Sequence, residues 1–201
     1  TSGVFQMESV GMTGVCIGLK PHNIEDITAI IALYRPGPMD SIPRFIECKH
    51  NPEKITYRHP MLQDILDVTY GCIVYQEQVI EIFRRMGGFS LGQADMIRRA
   101  MSKKKQADII RERETFINGD ASRGICGAVN NGIPADIAAE IYDEILDFAN
   151  YAFNKSHAAA YAFITYQTAY LKTFYPVEYM ASLISSVEDV TKINLYLMNC
   201  K

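Results

Sequence analysis

Apolar residues recur at helical spacing along much of this 201-residue chain, and proline or glycine ends several of the runs. The clearest faces are formed by Ile27, Ile30, Ile31 and Tyr34 and by Ile137, Ile141, Ile145 and Phe148. The first face stops at Arg35-Pro36-Gly37-Pro38, because proline lacks an amide donor and disfavours helix in the residue before it. This pattern predicts a mainly α, multi-helix fold with at most short β segments.

The helices expected from the sequence cover most of the chain. We predict them at about residues 24–34, 44–49, 61–66, 79–86, 90–101, 106–117, 134–149, 157–175, 178–186 and 191–199. Ser90 is expected to cap the fifth of them and Ser156 the eighth, since a serine hydroxyl accepts from the free amides of a first turn. Residues 70–75 are expected to be a short buried strand or an extended lead-in, and residues 120–132 a glycine-rich loop.

Composition excludes several classes of protein. The chain is 48% hydrophobic and 21% charged, so it can bury a core and is not expected to be disordered. Its longest apolar runs fall well short of the roughly 20 residues needed to span a membrane. The five cysteines and four histidines show no metal-ligand spacing, and an odd, scattered cysteine set fits a reducing cytoplasm. A first residue other than methionine suggests an internal cut in a longer protein.

Positive charge is concentrated in the middle of an otherwise acidic chain. Residues 84–113 hold nine of the 20 basic residues and only three acids, although the whole chain has a net charge of −3. The segment Arg98-Arg99-Ala-Met-Ser-Lys103-Lys104-Lys105 is the densest part. Several cations on neighbouring helical positions suit a triphosphate or a nucleic-acid backbone. A solvated helix surface is the alternative, but such surfaces usually mix both signs, so we favour phosphate binding.

Three further motifs are open to two interpretations. Asn154-Lys155-Ser156-His157 precedes a predicted helix, where Ser156 could be a cap, or where Lys155 and His157 could face an anion. Arg35-Pro36-Gly37-Pro38 is a rigid turn, which leaves Arg35 without an explanation. Tyr75-Gln76-Glu77-Gln78 could simply cap a helix, with Glu77 favourably placed in its first turn.

Five motifs in one order carry a resemblance to a known family. They are Gly3-Val-Phe-Gln-Met-Glu-Ser9, Tyr34-Arg-Pro-Gly-Pro38, Tyr70-Gly71 with Tyr75-Gln-Glu-Gln78, Ala94-Asp-Met-Ile-Arg-Arg-Ala-Met101 with Lys103 to Lys105, and Phe153-Asn-Lys-Ser-His-Ala-Ala-Ala-Tyr161. The series closely resembles the alpha subunit of bacterial DNA polymerase III, a C-family replicative polymerase. The likeness implies that residues 1–201 are part of the fingers domain. It places residues 1–12 at a junction with the palm, 13–69 in an N-terminal helical part and 70–201 in the main helical part.

The resemblance implies an activity for the parent protein. Such an enzyme adds deoxynucleotides to a primer end with two magnesium ions held by palm aspartates, for which this chain has no matching motif. The isolated chain is therefore expected to be inactive, with no catalytic residue and no metal ligand. The partners implied are template-primer DNA, deoxynucleoside triphosphates and other replicase subunits, including the sliding clamp, with no membrane.

The resemblance also implies residue roles. Arg98 and Arg99 match arginines that contact the triphosphate, and His157 matches a residue that crowds the sugar 2′ position. The remaining nucleotide-binding candidates are Lys103, Lys155, Ser156 and Arg35, and the DNA-binding candidates are Lys104, Lys105 and Arg111. Two alternatives stay open. A stand-alone helical DNA-binding module would bind duplex in a salt-dependent way, and a purely architectural helical bundle would bind neither DNA nor nucleotide.

Overall fold

The computed structural model describes residues 1–102, 106–149 and 151–200. Eleven α-helices occur within these ranges, together with short 3-10 turns, and the same ranges contain isolated β-bridges but no strand. The helices are α1 Val10–Leu19, α2 Ile24–Leu33, α3 Ile42–His50, α4 Gln63–Leu66, α5 Gln76–Gly87, α6 Leu91–Ser102, α7 Gln106–Asn118, α8 Ala135–Ala149, α9 Lys155–Phe174, α10 Pro176–Ser185 and α11 Val190–Asn199. The mainly α prediction is confirmed.

Most of the expected helices are present within a few residues of their predicted ends. One helix of the structure, α1, was not predicted from the sequence. Residues 70–75 form no strand: Cys72 to Tyr75 are a buried extended lead-in to α5, and Tyr75 makes a single parallel bridge with Phe153.

The chain divides into two compact units, which we call the central unit (Ala32–Lys155) and the terminal unit (Thr1–Ile31 with Ser156–Lys201). The central unit has its core between α5, α6, α7 and α8. Phe83 lies at its centre, with edge-on ring contacts to Phe89, Phe116 and Tyr142 at 5.3, 5.2 and 6.0 Å. The Tyr142 hydroxyl donates to the Ile109 carbonyl at 2.8 Å, so its one polar atom is satisfied inside the core.

A glycine-rich loop closes this core after α7. Gly127 donates to the Gly87 carbonyl at 2.9 Å and Ala128 donates to the Phe116 carbonyl at 2.8 Å, which ties the loop to α5 and α7. Gly127 has a φ of +84°, and a Cβ there would lie 2.3 Å from the Gly119 amide nitrogen. Only glycine allows the two backbone segments to approach this closely.

The terminal unit contains an N-terminal segment held by the helices from α9 onward. Phe5 donates its amide to Thr168 Oγ1 and accepts from Thr165 Oγ1, both at 3.1 Å. Glu8 accepts from the Gly3 amide at 2.8 Å and from the Tyr196 hydroxyl at 2.7 Å. This segment is therefore a structured part of the unit, although it has no regular secondary structure before α1.

None of the helices in the described part of the chain is long and apolar enough to cross a bilayer. The expected division at residues 12, 69 and 70 stays a prediction.

Candidate nucleotide and DNA site

Helix α6 presents Arg98 and Arg99 to different environments. The helix starts after Ser90, whose hydroxyl accepts from the Gln93 amide at 3.4 Å, as the sequence predicted. The Arg98 side chain is 14% exposed, whereas that of Arg99 is 67% exposed. Adjacent helical positions point about 100° apart, so one guanidinium lies against the protein and the next reaches solvent.

Asp95 joins both arginines. Its Oδ1 accepts from Arg98 Nε and Nη2 at 3.1 and 2.9 Å, and its Oδ2 lies 2.8 Å from Arg99 Nε. The hydrogen bond from Arg98, with the positive charges of both arginines, lowers the pKa of the Asp95 carboxyl. The carboxylate stays ionised and holds the arginine pair in place. Lys103, Lys104 and Lys105, which follow on the same positive segment, lie outside the described residues.

Arg111 lies on α7 beside a groove of about 220 Å³ between α6 and α7. Its side chain is 65% exposed, and its Nη2 lies 3.1 Å from both Asp108 and Glu112. Glu112 is buried and accepts from Arg123 Nη1 with both oxygens at 3.0 Å. Gln93 on α6 donates to the Arg123 carbonyl at 3.1 Å, so this network also ties α6 to α7. The charge of Arg111 is therefore largely balanced by neighbouring carboxylates.

The motif Tyr75-Gln76-Glu77-Gln78 connects two distant parts of the central unit. The Gln78 side-chain oxygen accepts from the amides of Val74 and Tyr75, both at 2.9 Å, and its nitrogen donates to Thr69 Oγ1 at 2.7 Å. Gln76 donates through its backbone to the Phe153 carbonyl and through its side chain to the Ala152 carbonyl. The two glutamines thus stabilise the fold. Capping of α5 explains only part of the motif, because both side chains also bind residues outside that helix.

Glu77 caps α9 rather than only its own helix. Its carboxylate accepts from the Lys155 amide at 3.0 and 3.2 Å and from the Asn154 side chain at 3.0 Å. The predicted capping role of Ser156 is wrong, because α9 begins at Lys155 and Ser156 already lies inside the first turn. A negative side chain at this position also satisfies the positive end of the helix dipole. A protein carboxylate therefore satisfies the backbone amide at this helix start, where an anion was one of the two open interpretations.

Arg35 has contacts that explain its presence after α2. Its Nε donates to the Ala32 carbonyl at 2.9 Å and its Nη2 to the Tyr151 carbonyl at 2.7 Å. The guanidinium carbon lies 4.3 Å from the centre of the Phe153 ring, in cation–π geometry. Partial burial lowers the pKa of Arg35. The Lys155 ammonium lies 5.4 Å from the Tyr75 ring centre, so two of the predicted nucleotide-binding cations contact aromatic rings.

His157 and Ser156 belong to the terminal unit, where both are exposed in the first turn of α9. The His157 ring lies 4.6 Å from that of Tyr161, one turn further along the helix. The Tyr161 ring lies 5.6 Å from Phe5 in the N-terminal segment. The terminal unit therefore has a row of three rings, with His157 at its exposed end.

Sequence reasoning missed several residues that organise these surfaces. Asp95, Glu112 and Arg123 are charged residues whose partners lie one turn away or in a following loop. The spacing of Asp95 to Arg98 and Arg99, three and four positions, is the signal that could have identified the first of them. No helical spacing in the sequence indicates the contact of Glu112 with Arg123, because it depends on how the loop after α7 folds back.

Among the described residues, no three His, Cys, Asp or Glu side chains are grouped so that they could hold a metal ion.

Comparison with known proteins gives a consistent result. Residues 1–124 match the model of the bacterial DNA polymerase III alpha subunit finger domain. The chain is 50% identical to the DNA polymerase III subunit alpha of Bacillus subtilis over all of its own length and 17% of that protein. It is 46% identical to that of Thermus aquaticus, covering 100% of this chain and 16% of the relative. It is 49% identical to that of Chlamydia trachomatis, covering 96% and 15%. The chain thus spans less than a fifth of the length of these relatives, and it belongs to the finger domain family of the bacterial DNA polymerase III alpha subunit.

Proposed function

We propose that this chain is the part of a replicative DNA polymerase that binds the incoming deoxynucleoside triphosphate and the template-primer. The observation that carries the proposal is the match of residues 1–124 to the finger domain, a range that includes the exposed Arg99. Relatives in three bacterial genera share the name DNA polymerase III subunit alpha. The whole protein would then carry out template-directed DNA synthesis.

Arg99 is the residue we assign to the triphosphate. Its guanidinium is largely exposed yet anchored through Nε by Asp95, which leaves its two terminal nitrogens to donate to phosphate oxygens. Arg98 supports the same nucleotide from a less exposed position, with Lys103 as a further phosphate ligand. Lys104 and Lys105 are assigned to the DNA backbone, where a positive charge contributes without reading sequence. Arg111 is assigned to the same backbone as a hydrogen-bond donor, because its side chain is 65% exposed although its charge is largely balanced.

Arg35, Lys155, Ser156 and His157 are assigned to the nucleotide as well. Exposed at the end of its ring row, His157 would crowd the sugar 2′ position and exclude ribonucleotides by steric contact. Since Arg35 and Lys155 contact the rings of Phe153 and Tyr75, we assign them a positioning role.

The magnesium ions of the reaction would be held by parts of the polymerase other than the described residues. When bound, they would activate the primer hydroxyl and stabilise the leaving pyrophosphate. The residues of this chain would bind and orient the triphosphate beforehand. The partners proposed for the whole protein are template-primer DNA and other replicase subunits, including the sliding clamp, in the cytoplasm.

Single-nucleotide incorporation by the full-length polymerase tests these assignments. We expect Arg99→Ala to raise the KM for every deoxynucleotide by about tenfold or more, because a charge-assisted contact is worth roughly 1.5–3 kcal/mol. Arg84→Ala is the matched control, since Arg84 is exposed on α5 and paired with Glu81. His157→Ala should reduce discrimination against ribonucleotides by about tenfold or more. Unchanged KM values in Arg99→Ala and unchanged discrimination in His157→Ala would refute the proposal.

A further inference from the structure

Gln6 occupies a backbone position that glutamine rarely adopts. The Met7 amide donates to the Val4 carbonyl at 3.0 Å and closes a four-residue turn with Gln6 as its third member. Gln6 has a φ of +66°, in the left-handed region. A turn that needs a positive φ at its third residue normally has glycine or asparagine there, because a larger side chain is disfavoured in this conformation.

The turn is held in place from both sides, so the conformation is imposed by the surrounding unit. Phe5 is hydrogen-bonded through its amide and its carbonyl to two threonines of α9, and the Met7 side chain is buried. The Gln6 side chain is itself exposed, and no hydrogen bond to it is found among the described residues. Folding alone therefore does not explain the use of glutamine.

The other two non-glycine residues with positive φ in the described ranges have structural explanations. Lys20 ends α1 as its left-handed cap, with its amide donating to the Cys16 carbonyl at 2.9 Å. Tyr70 packs its ring edge-on against Phe45 at 5.2 Å. Gln6 makes no comparable contact, which suggests that its amide is used outside the fold.

The neighbourhood of Gln6 indicates what that amide would bind. The ring of Phe5, directly before it, contacts Tyr161 in a tilted arrangement, and Tyr161 contacts His157 in the same way. If His157 crowds the sugar 2′ position, the space beside it is the minor-groove side of the nucleotide, because the 2′ position projects into that groove. Every base presents an acceptor there, purine N3 or pyrimidine O2, so one amide donor can serve any sequence.

We propose that Gln6 contacts the incoming nucleotide and donates its side-chain N–H to the minor-groove acceptor of the base. The inference rests on the proposed function, because it takes its orientation from the role of His157. Gln6 would make the same hydrogen bond with any of the four bases, provided that the base edge is correctly positioned. The strained turn would present the amide on a rigid support, which lowers the entropy lost on contact.

The test compares dATP with 3-deaza-dATP, which lacks the N3 acceptor, in single-nucleotide incorporation by the full-length polymerase. We expect the wild type to lose about tenfold in kcat/KM with the analogue, the value of one hydrogen bond of about 1.4 kcal/mol. Gln6→Gly removes the amide and suits the positive φ. Its kcat/KM with dATP should be about tenfold lower than that of the wild type, and its kcat/KM with 3-deaza-dATP should be no lower than with dATP.

Controls separate this inference from the function on which it rests. Gln167→Ala removes an exposed amide of α9 in the same unit and should behave as the wild type. Gln6→Asn also tolerates positive φ and introduces no glycine. It therefore checks that a loss of kcat/KM in Gln6→Gly comes from removal of the side-chain amide and not from the added flexibility of glycine. Full activity of Gln6→Gly with dATP, or an analogue penalty as large in Gln6→Gly as in the wild type, would overturn the assignment. Failure of the proposed function would appear separately, as unchanged ribonucleotide discrimination in His157→Ala.

Discussion

Asp95 and Arg98 lie one helical turn apart on α6, and the guanidinium donates twice to the same carboxylate oxygen, at 3.1 and 2.9 Å. The other oxygen of Asp95 lies 2.8 Å from Nε of Arg99. One carboxylate thus orients two adjacent arginines, although their side chains differ greatly in exposure. The arrangement couples the geometry of the predicted phosphate ligands to the ionisation of a single acid.

This coupling predicts a specific acid dependence of stability. The pKa of Asp95 is lowered in the folded protein, so its contribution is fully present above the unfolded value of about 3.9 and is lost as pH falls through the folded value. Asp95→Asn should reduce the free energy of unfolding by about 0.5–1 kcal/mol near neutral pH. The difference from the wild type should shrink below about pH 4. Urea unfolding at several pH values measures it, with Asp147→Asn on α8 as an exposed control; a difference constant down to about pH 3 would contradict the linkage.

Glu112 is expected to matter for stability because its carboxylate is buried between two arginines. Glu112→Ala should cost about 2 kcal/mol, since it leaves the partly buried Arg123 without its carboxylate partner. Glu114→Ala changes an exposed glutamate on the same helix and should stay within about 0.5 kcal/mol of the wild type. Chemical denaturation of both variants provides the comparison. Equal effects would show that the buried pair adds nothing beyond a surface charge.

Removal of the Glu77 carboxylate should weaken the start of α9. Glu77→Ala leaves the Lys155 amide and the Asn154 side chain without this acceptor, at a cost of about 1 kcal/mol. Glu77→Gln should cost less, because its amide oxygen can still accept. Glu53→Ala, an exposed residue of the turn Pro52–Lys54, is a suitable control. The melting temperatures should therefore rank Ala below Gln and Gln below wild type; a different order would argue against capping by this side chain.

Glycine substitutions should separate close backbone contact from helix propensity. Gly127→Ala places a Cβ 2.3 Å from a backbone nitrogen at positive φ, and we expect a loss of about 3 kcal/mol or more. Gly92→Ala lies in α6, where the added carbon meets no heavy atom within 4 Å beyond its own stretch of helix, and should stabilise by about 0.5 kcal/mol. Thermal unfolding of the two variants measures both effects. A mild effect of Gly127→Ala would mean that the loop can move away from Gly119.

Helices α8 and α1 show which helices could be predicted from hydrophobic periodicity and which could not. The face formed by Ile137, Ile141 and Ile145 repeats at helical spacing, and α8 is found there with Ile141 and Ile145 buried and Ile137 partly buried against the core. α1 was missed because Val10 and Ile17 are exposed, while glycines interrupt its pattern, so it has almost no periodic face. α1 is instead marked by Ser9, whose hydroxyl accepts from the Met12 amide at 3.2 Å.

The order of the motifs was enough to identify the family, because five short segments in a fixed succession do not arise from composition or periodicity. The basic segment of α6 was also visible, since charge density is a property of the sequence.

The partners of those charges were decided by tertiary structure. The cap of α9 by Glu77, the ion pair of Arg123 with Glu112 and the close approach of Gly127 to Gly119 join residues that are 8 to 78 positions apart. Such contacts exist only once loops have closed, and loop closure follows from how whole helices pack rather than from any local preference. The amino-acid sequence alone therefore determined most of the helices, the charged segment and the family. Packing decided which of the charged and polar side chains support the fold and which are left to meet a ligand.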